Sequence, residues 1–107
     1  MFAAEYAPAE RPVRRGRRAP VAVQAPVEQS GMARTLCKVM DLSLHGCRLL
    51  TFSAMARDES IWLTIPGLGV VAAIVVWADD LVAGCQILSP LTDETFEALV
   101  TRYGLTH

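Results

Sequence analysis

Between Val21 and Leu88 the chain is cut into short apolar runs by turn-forming residues, at Glu28-Gln29-Ser30-Gly31, Ser43 to Gly46, Pro66-Gly67 and Asp79-Asp80. Parallel strands need a crossover of about a dozen residues or more, so runs joined by such short turns must lie antiparallel. The runs themselves read as strands. Val21 to Val27 is rich in β-formers, and Leu36, Lys38 and Met40 alternate with Cys37, Val39 and Asp41 in the period of two of a half-buried strand. Cys47 to Thr51 resumes after a hairpin at Ser43 to Gly46. Ile61, Leu63 and Ile65 share one face of a strand that should pair antiparallel with the β-branched run Val70 to Trp77, and Leu81 to Leu88 completes six. The spacing therefore predicts an all-β, six-stranded antiparallel barrel or sandwich. One helix should follow. Thr92 can cap it, Asp93 and Glu94 suit its first turn, Phe96, Leu99, Val100 and Tyr103 fall on one face, and Gly104 lies beyond Arg102. This helix is expected to plug or cover the barrel.

At 107 residues the chain has room for one core, and with 52% hydrophobic and 20% charged residues it can bury enough apolar surface to fold. The longest apolar run, Leu68 to Ala78, has 11 residues, about half of the ~20 that a membrane helix needs. No membrane span is expected. The N-terminus lacks the apolar core of a secretion signal, so a cytoplasmic location is expected. Cys37, Cys47 and Cys85 form no CxxC and lie in apolar segments, which suits core thiols in a reducing compartment. With His45 and His107 the only histidines, no metal site is expected. No serine or cysteine sits beside a plausible histidine and carboxylate, and Asp79-Asp80 reads as a solvated turn, so neither catalytic residues nor a cofactor are expected.

Charge is uneven along the chain. Residues 1–18 hold five arginines against Glu5 and Glu10, a net +3, while the remaining five basic and nine acidic residues leave −4. Arg11, Arg14, Arg15, Arg17 and Arg18, beside Pro8, Pro12 and Gly16, describe a flexible cationic arm on a mildly acidic body. Arginine without lysine favours phosphates and base edges, because the guanidinium is a planar fork that also stacks on rings. A solvated tail is the plainer alternative.

Two motifs narrow the choice. Arg14 and Arg18 make an RxxxR, and further along Asp41-Leu42-Ser43-Leu44-His45-Gly46 makes a DxSxxG on the second strand and its turn. The pair, in this order on a six-strand pattern with a terminal helix, resembles the PilZ domain over all but residues 1–10. The resemblance implies a tail over 1–10 and a single domain over 11–104, with the arm at 11–20, the barrel at 21–88 and the helix at 92–103. One departure is Ile87 in Gly84-Cys85-Gln86-Ile87, where the family often carries an aromatic residue.

The resemblance also implies a bacterial receptor for cyclic di-GMP without enzymatic activity. That ligand carries two phosphates and two guanines; guanine N7 and O6 accept from arginine, while its N1–H and N2–H donate to a carboxylate. Arg14 and Arg18, with Arg15 or Arg17 assisting, would clamp phosphate and guanine, and Asp41 would accept from a guanine edge or hold the arm. Ser43 offers its hydroxyl to ligand or turn, and Gly46 permits either positive φ or close backbone approach. His45 reads as a solvated turn residue, and Trp62 and Trp77 as packing. Closing of the arm on the ligand would present a changed surface to a downstream protein. Two alternatives remain: a nucleotide-independent PilZ-like interaction module, and a barrel for single-stranded nucleic acid, for which the acidic body lacks a basic track, so no DNA or RNA partner is expected.

Overall fold

The computed structural model describes residues 17–29 and 34–105. The strands are β1 (Ala19–Gln29), β2 (Thr35–Leu42), β3 (Gly46–Thr51), β4 (Ser60–Ile65), β5 (Gly69–Asp79) and β6 (Val82–Ile87), followed by helix α1 (Asp93–Tyr103). They form a closed barrel in the order β1-β2-β3-β6-β5-β4, with every neighbouring pair antiparallel. Closure leaves no free edge for another chain to extend. Of the barrel and the sandwich that the turn spacing allows, the chain thus forms the six-stranded antiparallel barrel, with a C-terminal helix.

Period-two alternation sets the interior. Ala25, Val27, Cys37, Val39, Leu49, Ile61, Leu63, Ala73, Val75, Ala83 and Ile87 point inward and are buried. Alanine and cysteine among the branched residues let a narrow barrel fill completely with side chains. α1 is capped as its sequence suggests: the Thr92 hydroxyl accepts from the Thr95 amide at 3.1 Å. Phe96 and Leu99 are buried, and Leu99 and Tyr103 face Val21, Val23, Val39, Leu42 and Ile65 across a narrow gap, so the helix covers that side of the barrel. After the helix the chain returns to the start of β1, where the Leu105 amide donates to the Pro20 carbonyl at 3.0 Å.

Two boundaries differ from the sequence reading. The first strand opens at Ala19, so Ala19 and Pro20 belong to the barrel and not to the arm; Pro20 is tolerated because a register shift follows it, before Val23. Glu28 and Gln29, read as turn, extend β1 and pair with Trp62 and Ile61 of β4. Gln29 can be buried in a strand because its amide is satisfied. Its nitrogen donates to the Ala54 carbonyl at 3.1 Å and to Glu59 at 2.8 Å, and its oxygen accepts from Ser53 at 2.9 Å. The tail at 1–10, Arg11, Arg14, Arg15 and the Ser30-Gly31 turn lie outside the described residues.

Gln29→Ala removes a buried side chain together with its hydrogen bonds to Ser53, Ala54 and Glu59 and should cost about 1–3 kcal/mol of stability, read from the chemical denaturation midpoint. An unchanged midpoint would show that the loop between β3 and β4 does not depend on this residue.

Candidate functional site

Two β-bulges create the site. On β2, Val39 pairs with Leu49 and the next partner pair is Asp41 with Arg48, so Met40 is an extra residue. Strict alternation would send Asp41 into the barrel with Cys37 and Val39. The bulge re-aims it onto the outer face and gives the inward place to Leu42, opposite Cys47. On β5, Val75 pairs with Cys85 and Trp77 with Gly84, so Val76 is the extra residue and Trp77 turns outward in the same manner. Arg48 also pairs with Gly84. Asp41, Arg48, Gly84 and Trp77 thereby form one cross-strand row over β2, β3, β6 and β5.

Arg18, one residue before β1, closes over this row. Its Nη1 lies 2.6 Å from one carboxylate oxygen of Asp41, while Arg48 Nε lies 2.9 Å from the other. The two guanidiniums cover Asp41, whose side chain is 9% exposed, yet themselves remain 50% and 46% exposed. Each guanidinium carries five N–H donors, so the carboxylate fixes the forks and leaves further donors facing solvent. An open cleft of about 470 Å³ lies above, lined by Arg18, Asp41, Arg48, Val76, Trp77 and Gly84, with Cys47 and Cys85 at its base.

The DxSxxG turn holds Asp41 and β3 in register. The Ser43 amide donates to the Gly46 carbonyl at 2.9 Å, and the Gly46 amide donates back to the Ser43 hydroxyl at 3.1 Å. That hydroxyl also accepts from the His45 amide at 3.4 Å, and Ser43 is buried, so its side chain serves the turn. Gly46 is required for close approach and not for positive φ, which among the described glycines occurs only at Gly67 and Gly69. A Cβ on Gly46 would sit 2.8 Å from the Cys85 carbonyl oxygen and 3.8 Å from Arg18 Nη2. Any side chain here would collide with the β6 backbone, while Arg18 stays at ordinary contact distance.

The structure thus gathers Arg18, Asp41, Ser43 and Gly46 at one place, whereas Arg14 and Arg15 lie outside the described residues. Sequence reasoning missed Arg48 and read Trp77 as packing. Arg48 had a signal: two residues after Gly46 and flanked by the inward Cys47 and Leu49, it must face outward beside the aspartate strand. For Trp77 the residue type alone was the signal, since the bulge that turns it outward is invisible to periodicity. It is 45% exposed; Trp62, 39% exposed, lies on β4 away from the cleft. His45 is exposed.

All three cysteines are free and buried. Burial pushes the Cys37 thiol up to about 12. Cys47 and Cys85 face each other across β3 and β6. Their interaction raises the Cys47 thiol, with burial adding to the rise, and lowers that of Cys85, with burial opposing the fall. Among the described residues no group of three histidine, cysteine or acidic side chains could hold a metal ion.

The model of the PilZ domain family matches residues 12–103. Among solved structures, a crystal structure of the PilZ domain of CeSA from a cellulose-synthesizing bacterium is similar at a TM-score of 0.57 and 15% identity, covering 80% of this chain and 92% of that one. At that identity the likeness shows the fold. No curated protein matches the chain.

The site's two glycines should respond differently to alanine. In Gly46→Ala the new methyl meets backbone, which cannot swing aside, and the cost should be roughly 1–3 kcal/mol. In Gly84→Ala the methyl would reach within 2.2 Å of the Trp77 ring, so the indole must leave its seat. In a Trp62→Phe background its fluorescence emission should shift, and an unshifted spectrum would contradict the packing of Trp77 on Gly84.

Proposed function

Because the chain belongs to the PilZ domain family, we propose that it is a non-enzymatic receptor for cyclic di-GMP, with the ligand seated in the cleft above Asp41. The observation that carries this reading is the Asp41 carboxylate held between Arg18 and Arg48. Two cations on one buried anion leave the cluster at net +1, with free N–H donors facing an open cleft. A ligand with phosphates and guanine edges uses those donors, its phosphates and O6/N7 atoms accepting from the forks. Guanine N1–H and N2–H find in Asp41 an acceptor that is already oriented. The outward ring of Trp77 at the far end of the row offers a base an apolar face to lie against.

Arg14 joins the site as the first arginine of RxxxR and Arg15 as its neighbour, bringing further cationic forks to a dianionic ligand. Ser43 and Gly46 act through the turn, keeping Asp41, Arg48 and the Cys85 carbonyl at fixed separations. The output is a changed surface around the cleft, recognised by a downstream protein partner in the cytoplasm. Among the described residues no helix is long and apolar enough to cross a membrane.

Calorimetry with cyclic di-GMP, GTP and cyclic AMP side by side tests the reading. Cyclic di-GMP should bind selectively, and Arg14→Ala or Arg18→Ala should each lose about 1.5–3 kcal/mol of binding, the range for charge-assisted hydrogen bonds. Asp41→Ala should weaken binding as well, because both guanidiniums lose their anchor. Equal affinity for GTP, or unchanged affinity in both arginine variants, would overturn the assignment.

A further inference from the structure

Arg17 lies next to Arg18 but outside the RxxxR pattern, and it does not line the cleft. Its guanidinium is instead seated on α1. Nη1 lies 2.5 Å from a carboxylate oxygen of Glu97, and the guanidinium carbon sits 5.0 Å from the centre of the Phe96 ring. Phe96 is 3% exposed and packed into the core, so the ring half of this seat is fixed, while the ion pair with Glu97 lies at the surface. Adjacent residues thus send their guanidiniums to different places, Arg17 to the helix and Arg18 to Asp41. The other side of the same short segment is also held by the helical end of the chain: Val21 bridges to Gly104, and Leu105 donates to the Pro20 carbonyl.

We propose that Arg17 is a positioning residue for the ligand site. The Glu97–Phe96 seat on α1 fixes the root of the arm so that Arg18 points into the cleft before ligand arrives. This rests on the cyclic di-GMP reading given above. Fixing the root in advance removes part of the ordering cost that binding would otherwise carry, which strengthens binding without any contact to ligand. Coupling of this kind is reciprocal, so occupation of the cleft also tightens the arm on α1, and the helix reports the state of the site.

The test is calorimetric titration of the full chain with cyclic di-GMP for wild type, Arg17→Ala, Glu97→Gln, the double variant and Arg18→Ala. Hydrogen exchange of the α1 amides is followed with and without ligand. An exposed ion pair plus a cation–π contact should make Arg17→Ala about three- to tenfold weaker and Glu97→Gln about two- to fivefold weaker. The double variant should be no weaker than Arg17→Ala alone, because both changes break one unit. Ligand should slow exchange across α1 in wild type and not in the variants. If Glu97→Gln binds like wild type while Arg17→Ala is weak, or if the two effects add, Arg17 touches ligand directly and the proposal fails. If Arg18→Ala loses binding while both α1-seat variants bind like wild type, the proposal fails and the cyclic di-GMP reading stands. If wild type binds no cyclic di-GMP, both fall together.

Discussion

A carboxylate that is nearly buried on the outside of a barrel must be compensated, and the compensation of Asp41 organises the rest of the site. Burying an unpaired anion is costly, but here each oxygen has its own guanidinium at 2.6 and 2.9 Å. That arrangement needs Asp41 to leave the barrel interior, which the extra residue at Met40 provides. It needs Arg48 directly opposite, which the DxSxxG turn sets by pinning Ser43 to Gly46. It also needs β3 and β6 close together beneath Arg18, and Gly46, without a side chain, allows the Cys85 carbonyl to approach.

The barrel supplies rigidity, and the polar chemistry is confined to its surface and ends. A closed sheet with a filled interior cannot shear one strand past another without disturbing its whole inner face, so the row from Asp41 to Trp77 has fixed spacing. The cysteines belong to that interior: free, buried and, for Cys37, with a thiol pushed up to about 12, they behave as small packing groups. The mobile choices are left to arginine side chains. Their planar forks lose little freedom once a carboxylate or a ring holds them, which is the situation of both Arg17 and Arg18.

Much of the fold was legible because its signals are local. Turn residues at Ser43 to Gly46, Pro66-Gly67 and Asp79-Asp80 mark hairpins whatever surrounds them, and the Thr92 cap with the Phe96 and Leu99 face marks α1. The ends of β1 were not legible, because burial of Gln29 depends on Ser53, Ala54 and Glu59, which are distant in sequence. At the site, the motif located Arg18, Asp41, Ser43 and Gly46, but period-two alternation alone does not show that Asp41 and Trp77 share an outward row. The cause is the same at both places: a bulge shifts alternation by one residue, and nothing in the residue pattern around Met40 or Val76 announces it.

With cyclic di-GMP seated in the proposed cleft, the outward row from Asp41 to Trp77 is the surface that meets it. The most direct test is a proton–nitrogen correlation spectrum recorded while the full chain is titrated with cyclic di-GMP, reading the side-chain N–H groups of arginine and tryptophan. The Arg48 Nε–H and Trp77 Nε1–H signals should move in step with saturation while that of Trp62 stays in place. A titration that saturates while Arg48 and Trp77 remain unmoved, or that moves Trp62 instead, would place the ligand on another face and contradict it.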